Sequence, residues 1–279
     1  MPAFPLYQVV ILAIVQSLTE FLPISSTAHL ALIPRLLGWN SPWLNSLDFD
    51  IALHFGTLAA VIVYFFRDWV EIAAGGFGIR YGRDPQIAQN RRLLWLLALA
   101  TLPVGVLGYV FKEQAETVWR SSYVIGAMLI VVGVVIYVAE RVGRATKDLG
   151  AVSLTDALSI GAAQALAIVP GVSRSGITIS AGLFRGINRE TAARFSFLLS
   201  TPALTGAALA AFRDLHKHGG LAPEMQLPFI VGVLVSAVTG WVVIAFFLRF
   251  LRTHTLRFFV YYRIVFGIIV IALAIVGRA

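Results

Sequence analysis

The chain alternates long apolar runs with short polar joints. Six runs read as full membrane spans, at about residues 50–66, 93–111, 121–139, 194–212, 228–248 and 259–277; each is close to the roughly 20 residues that cross a bilayer as a helix. Two further apolar regions, 6–38 and 154–186, are broken in their middles by proline and polar residues, so each half is too short to cross alone. Paired half-helices predict re-entrant hairpins, which are tolerated only when buried in protein or lining a cavity. No apolar/polar alternation of a membrane β-barrel is present. The pattern predicts an all-α polytopic membrane protein with six full transmembrane helices and two re-entrant helical hairpins.

The two broken regions echo each other. Gln16-x-Leu18 precedes Pro23-x-x-Ser26, and Gln164-x-Leu166 precedes Pro170-x-x-Ser173, in registration once a one-residue gap is allowed. Phe66-Arg67-Asp68 closes one span and Phe212-Arg213-Asp214 another. The offset is 147 residues at the prolines and 146 at the triplets, and two such near-equal offsets predict a duplication. One hairpin plus three spans per copy inverts the second copy relative to the first, the inverted-topology repeat of many transporters. Residues 1–279 are thus expected to form a single integral-membrane domain of two inverted repeats, about 1–145 and 150–279, joined by polar residues 140–153.

Loop charges support this topology. Fourteen Lys and Arg, among them Arg67, Arg141, Arg185, Arg194, Arg249 and Arg252, would share one face; the other would hold six, Arg35, Lys112, Arg120, Arg213, Lys217 and Arg278. The richer face is expected to be cytoplasmic. Both termini and the entrance of the first hairpin then lie outside, and the second hairpin starts from the cytoplasmic side.

Composition agrees. The chain is 58% hydrophobic and 13% charged, about half the charge of a soluble domain. The net charge of +8 is accounted for by loops on one face and calls for no nucleic acid. The absence of cysteine excludes disulfides, thiolate metal sites and a cysteine nucleophile. The first residues show neither a basic n-region nor a small-residue cleavage site, so the first apolar segment is expected to be mature protein.

The chemistry is concentrated in the two breaks. Carboxylate, imidazole and hydroxyl groups within membrane-grade sequence are costly to desolvate and mark a functional site by default. Gln16 and Glu20 stand at i and i+4 on one helical face. Together they could hold a hard cation such as Mg²⁺ or Ca²⁺ through oxygen, and Glu20 could equally serve as a general base. After Pro23 come Ser25, Ser26 and Thr27, with His29 three residues past Ser26, so a hydroxyl nucleophile and an imidazole could be neighbours. The plainer alternative is a serine cap with His29 packed in the bundle. Glu20 demands a partner: Arg174 across the repeat interface, or a metal.

The second break, Pro170-Gly171-Val172-Ser173-Arg174-Ser175-Gly176, combines backbone freedom, hydroxyl donors, a helix N-terminus and a guanidinium. This set suits phosphate; the plainer alternative is a capped helix break with Arg174 in a structural ion pair. Elsewhere, His54 is expected to be interfacial or packed, and His216, His218 and His254 solvated. Asp156 is expected to favour a helix N-terminus. Gly56, Gly105, Gly108, Gly206 and Gly240 are expected at close helix crossings.

At Glu20-Phe21-Leu22-Pro23-Ile24-Ser25-Ser26-Thr27-Ala28-His29 and at Pro170-Gly171-Val172-Ser173-Arg174-Ser175-Gly176, with Phe195-Ser196-Phe197-Leu198-Leu199 beyond, the chain resembles the undecaprenyl-diphosphate phosphatase family, also called bacitracin-resistance proteins, along essentially its whole length. The family's first motif begins with Glu or Gln, and this chain has Gln16 there, so Glu20 is the one carboxylate on this helix. The resemblance implies hydrolysis of undecaprenyl diphosphate to undecaprenyl phosphate and inorganic phosphate, which recycles the lipid carrier for peptidoglycan and confers bacitracin resistance. It also implies dependence on Mg²⁺ or Ca²⁺ and a multi-pass place in the bacterial plasma membrane with the site open to the outer side.

On this reading Glu20, Ser26, His29 and Arg174 carry catalysis. Ser25, Thr27, Gly171, Ser173, Arg174, Ser175 and Gly176 bind phosphate, and Glu20 with Gln16 holds the metal. The expected partners are a polyprenyl diphosphate and membrane lipid, with no nucleic acid; a homodimer is an allowed assembly. The competing reading is a transporter or flippase for the polyprenyl phosphate carrier that cleaves no bond.

Overall fold

The computed structural model describes residues 5–39, 47–217 and 220–277. They form α1 (Leu6–Phe21), α2 (Ser26–Leu36), α3 (Leu47–Tyr64), α4 (Phe66–Gly76), α5 (Pro85–Gln89), α6 (Leu93–Val110), α7 (Lys112–Glu116), α8 (Ser122–Val142), α9 (Leu154–Ala165), α10 (Arg174–Phe184), α11 (Arg189–Lys217), α12 (Pro223–Leu251) and α13 (Arg257–Ile275). Among the described residues the only β pairing is an isolated bridge between Lys147 and Ile187. Arg278 and His218, used above in the charge tally and the histidine survey, lie outside the described residues.

Five helices, α6, α8, α11, α12 and α13, are long and apolar enough to cross a membrane. They coincide with five of the six expected spans. The sixth expectation, 50–66, falls on α3, an apolar helix of 18 residues. Near its start Asp50 pairs with Arg120 at 2.8 Å. Leu102, Val106, Val238, Phe246, Val265 and Ile268 all point outward and are exposed. Apolar surface on this scale is rare on soluble monomers and suits hydrocarbon, so the chain is a polytopic membrane protein.

The long helices pack on one another and on the broken ones: α3 and α1 on α12, α13 on α8, α6 on α9, and α10 on α8, α9 and α11. A ladder of rings runs through the centre, with Phe21 on Phe197 at 5.4 Å, Phe197 on Phe247 at 6.1 Å and Phe247 on Phe259 at 5.5 Å between centroids. Ser17 donates to the Ser236 carbonyl at 2.7 Å and Ser236 to the Leu53 carbonyl at 2.9 Å, which ties α1, α12 and α3 with the interhelical hydrogen bonds favoured in apolar bundles. Gly56 and Gly240 do sit at tight crossings, whereas Gly105, Gly108 and Gly206 face open space. Their spacing gave no sign of which face each would occupy.

Both broken regions are helix–turn–helix pairs. α1 ends at Phe21, and Ser25 precedes α2 with φ +75°. α9 passes through a 3-10 turn, Leu166–Ile168, to Ser173, which precedes α10 with φ +69°. Positive φ in a serine is a strained choice, and it occurs at the same place in both breaks. These serines are 148 residues apart (173 − 25), as are Gln16 and Gln164 (164 − 16). The local register is therefore gapless from glutamine to serine. The prolines are out of step by one residue, because the turns are built on the strained serines.

Candidate active site

The two turns meet. Glu20, at the end of α1, has one carboxylate oxygen 3.0 Å from Arg174 Nη2, at the start of α10. Its other oxygen accepts from Ser26 Oγ at 2.7 Å. α1 delivers Glu20, the turn reverses the chain, and Ser26 opens α2 facing back toward it. Gln16, one turn behind Glu20, is also close, its Nε2 3.5 Å from Glu20 Oε2. Glu20 and Arg174 are only 7% and 12% exposed. At that burial each needs the other, since an unpaired charge there would carry several kcal/mol of desolvation. Arg174 is braced from behind by Nη1 donating to the Ser196 carbonyl at 3.2 Å, and Ser196 exchanges a hydrogen bond with Thr178 at 2.7 Å.

These groups surround a cavity of about 210 Å³, whose polar wall includes Glu20, Ser25, Ser26, Thr27, Ser173 and Arg174. Gly171 also lines it, while Ser175 and Gly176 do not. Ser175 donates to the Leu22 carbonyl at 3.1 Å, and the Gly176 N–H donates to Ser173 Oγ at 3.2 Å. Ser175 thus ties one turn to the other, and Ser173 caps α10. A larger cavity, about 510 Å³, lies beside Tyr64, Arg194 and Arg252. Arg194 is held by Asp68 and Asp84, and Arg252 by Glu190. Among the described residues no serine or threonine lines this larger cavity, so the smaller one is the better candidate.

The expected Ser26–His29 pair does not form. His29 Nδ1 is 2.7 Å from the Ser25 carbonyl, so it carries the proton, and Nε2 is 2.7 Å from Tyr262 Oη. The ring stacks on Phe266 at 4.5 Å. α2 begins one residue after the strained Ser25, and this rotates His29 toward α13 and away from the cavity. His54 comes instead, though the sequence marked it as interfacial or packed. Its Nδ1 faces the Asp50 carbonyl at 2.6 Å, its Nε2 lies 3.8 Å from Glu20 Oε2, and it lines the cavity.

Arg263 was also missed. It is fully buried on α13. Its guanidinium donates to the Pro23 carbonyl at 3.1 Å, to those of Gly171 and Val172 at 2.9 and 3.1 Å, and to those of Met128 and Leu129 at 3.3 and 3.2 Å. One side chain thereby fastens both turns to α8. Because a trans peptide points its N–H opposite its C=O, drawing the Val172 carbonyl to Arg263 turns the Ser173 N–H the other way. The available signal was a lone arginine inside an apolar span.

The donor set can be tested for a divalent cation. Both Glu20 oxygens are engaged, and Gln16 Oε1 is buried without a partner. Among the described residues no group of three or more His, Asp or Glu is arranged to hold a metal. Glu20 lines the cavity and Gln16 does not, and the amide nitrogen of Gln16 is what faces Glu20, so this donor set fits only an ion that keeps several waters and completes its shell with substrate phosphates, as Mg²⁺ does.

The sequence profile described as Bacitracin resistance protein BacA matches residues 9–269. Proteins named undecaprenyl-diphosphatase are similar over nearly the whole length. That of Moorella thermoacetica is 46% identical over 265 residues, covering 95% of this chain and 96% of the relative. That of Pelotomaculum thermopropionicum is 44% identical over 268 residues, covering 96% of each. That of Desulforudis audaxviator is 45% identical over 270 residues, covering 96% and 98%.

Proposed function

We propose that this chain, which belongs to the bacitracin resistance protein BacA family, hydrolyses undecaprenyl diphosphate to undecaprenyl phosphate and inorganic phosphate. Its near-full-length relatives named undecaprenyl-diphosphatase support the reaction. The observation that carries the mechanism is the Ser26–Glu20–Arg174 chain of contacts at 2.7 and 3.0 Å.

Ser26 Oγ attacks the terminal phosphorus as Glu20 Oε2 takes its proton. The P–O bond to the lipid-linked phosphate breaks, and undecaprenyl phosphate leaves. Water then attacks the phosphoserine, a proton returns from Glu20 to Ser26, and inorganic phosphate departs. Arg174 faces the charge that grows on the phosphoryl oxygens. Ser25, Thr27, Ser173 and the backbone around Gly171 orient those oxygens. Ser175 and Gly176 act from behind by fixing the turns. His29 holds Ser25 in place. Glu20, with Gln16 one turn behind it, would be the protein ligand of a divalent cation, Mg²⁺ or Ca²⁺, which would supply charge neutralisation on the diphosphate.

The half-helices bear on the topology. α2, α9 and α10 have 11, 12 and 11 residues, about 16–18 Å at about 1.5 Å per residue, against a hydrocarbon core of about 30 Å. Two re-entrant hairpins from inverted repeats would meet tip to tip, and the charge asymmetry of the loops would open the site to the outer side. The test is phosphate release from undecaprenyl diphosphate by purified protein, with and without chelator. Release that stops with chelator and resumes with Mg²⁺ or Ca²⁺ is expected. Lipid-carrier transport with no phosphate released would overturn the reading.

A further inference from the structure

Among the described residues, four buried side-chain polar atoms have no hydrogen-bond partner: Gln16 Oε1, Arg174 Nε, and both Nε2 and Oε1 of Gln164. Gln164 is the extreme case. It is 0% exposed, both ends of its amide are unsatisfied, and it lines the same cavity as Ser26 and Arg174. A buried amide with neither end paired is destabilising and calls for an explanation.

Its surroundings indicate what it meets. Gly161, one turn earlier on α9, abuts the backbone of Ala100 on α6. The lining that follows Gln164 in the chain, Ala167, Ile168 and Val169, is apolar, as is Val104 from α6, the helix on which α9 packs. Ser26, Glu20 and Arg174 occupy the polar wall. Gln164 is thus a lone pair of amide groups where the polar wall gives way to an apolar one. Along a prenyl diphosphate, that boundary corresponds to the phosphate joined to the hydrocarbon.

We propose that Gln164 is a substrate-binding residue whose Nε2 donates to an oxygen of the lipid-linked phosphate, the one that leaves. The inference rests on the phosphatase reading. It adds a division of labour between the breaks: Ser26 and Arg174 address the phosphoryl group in transfer, and Gln164 selects the phosphate bearing the lipid. The fold gives up stability here, because the amide nitrogen finds its acceptor only when substrate is present.

The test is Gln164→Met, close in shape and apolar, in the purified full chain. The melting temperature should stay the same or rise, since a buried unsatisfied amide is removed. The KM for undecaprenyl diphosphate should rise about tenfold or more, as for loss of a hydrogen bond to a charged group, with kcat changed far less. Inhibition by undecaprenyl phosphate should weaken in parallel, while inhibition by inorganic phosphate should not change. Gln164→Glu, which sets a carboxylate against the phosphate, should raise KM further. A lower melting temperature with unchanged KM would overturn the inference by making the amide part of the scaffold; so would a Gln164→Met protein that does not fold. Weakened inhibition by inorganic phosphate alone would overturn the choice of phosphate. Wild-type protein releasing no phosphate would instead sink the phosphatase reading itself.

Discussion

Arg174 Nη2 lies 3.0 Å from Glu20 Oε1, although 154 residues separate them in the chain. The two come from separate breaks, and each break contains a serine with positive φ, Ser25 in one and Ser173 in the other. A charge pair this buried is weak evidence for stability, because desolvation offsets much of its attraction. Its value here is positional: the carboxylate that orients Arg174 also accepts from Ser26.

Breaking the pair should therefore hurt the fold as well as the chemistry. Glu20→Gln leaves the guanidinium without a counter-charge and should destabilise by about 3–5 kcal/mol. Glu20→Gln combined with Arg174→Met should be less destabilised than Glu20→Gln alone. Thermal unfolding of these two variants and of Arg174→Met alone, beside the wild type, checks this, and a loss in the double variant equal to the sum of the two single losses would mean the pair is not coupled.

Ser26→Ala removes the attacking oxygen and should lower turnover by at least about a hundredfold without lowering the melting temperature by much. Rapid quenching of the wild type followed by peptide mass analysis should find a phosphoryl group on Ser26. Near-normal turnover in Ser26→Ala would assign the attack to water and leave Glu20 as its base.

Arg263→Ala deprives three turn carbonyls, those of Pro23, Gly171 and Val172, of the guanidinium. Each buried group left unsatisfied costs about 1–3 kcal/mol, so the protein should be strongly destabilised. Arg263→Lys keeps the charge but cannot span all the carbonyls, and should recover only part of the loss. Thermal stability together with specific activity of the folded fraction reads both effects.

Gly171 adopts φ +93°, and a Cβ there would meet the Ile125 carbonyl oxygen at 2.6 Å. Gly171→Ala should cost at least about 1–2 kcal/mol from the backbone alone, with the contact adding to it. Since the turn carries Ser173 and Arg174, activity should fall with stability. An unchanged melting temperature would show that the turn can relax away from α8.

Much of this was legible in the chain. Apolar run length gave five spans, and proline within membrane-grade sequence gave both breaks, because lipid punishes unsatisfied backbone so heavily. Glu20 and Arg174 stood out for the same reason, and their partnership followed from each needing the other. The rotation of a short helix after a strained turn could not be read. Spacing alone put His29 beside Ser26, yet the positive φ of Ser25 turns the ring toward Tyr262. His54 looked interfacial because nothing local shows that α3 passes beside the Glu20 carboxylate. Arg263 carried a visible signal, a lone guanidinium among aliphatic residues, but its partners are backbone carbonyls and carbonyls leave no mark in sequence. Gln164 was visible only as a repeat marker; that both ends of its amide lack partners required coordinates.

The most direct test of the central claim is phosphate release from undecaprenyl diphosphate by Arg174→Ala, compared with wild type at equal amounts of folded protein. Removing one member of a buried charge pair that also faces the transferring phosphoryl group should cost about 2–5 kcal/mol, a fall in turnover of about thirtyfold or more. A folded Arg174→Ala protein that releases phosphate at a near-normal rate would contradict the account.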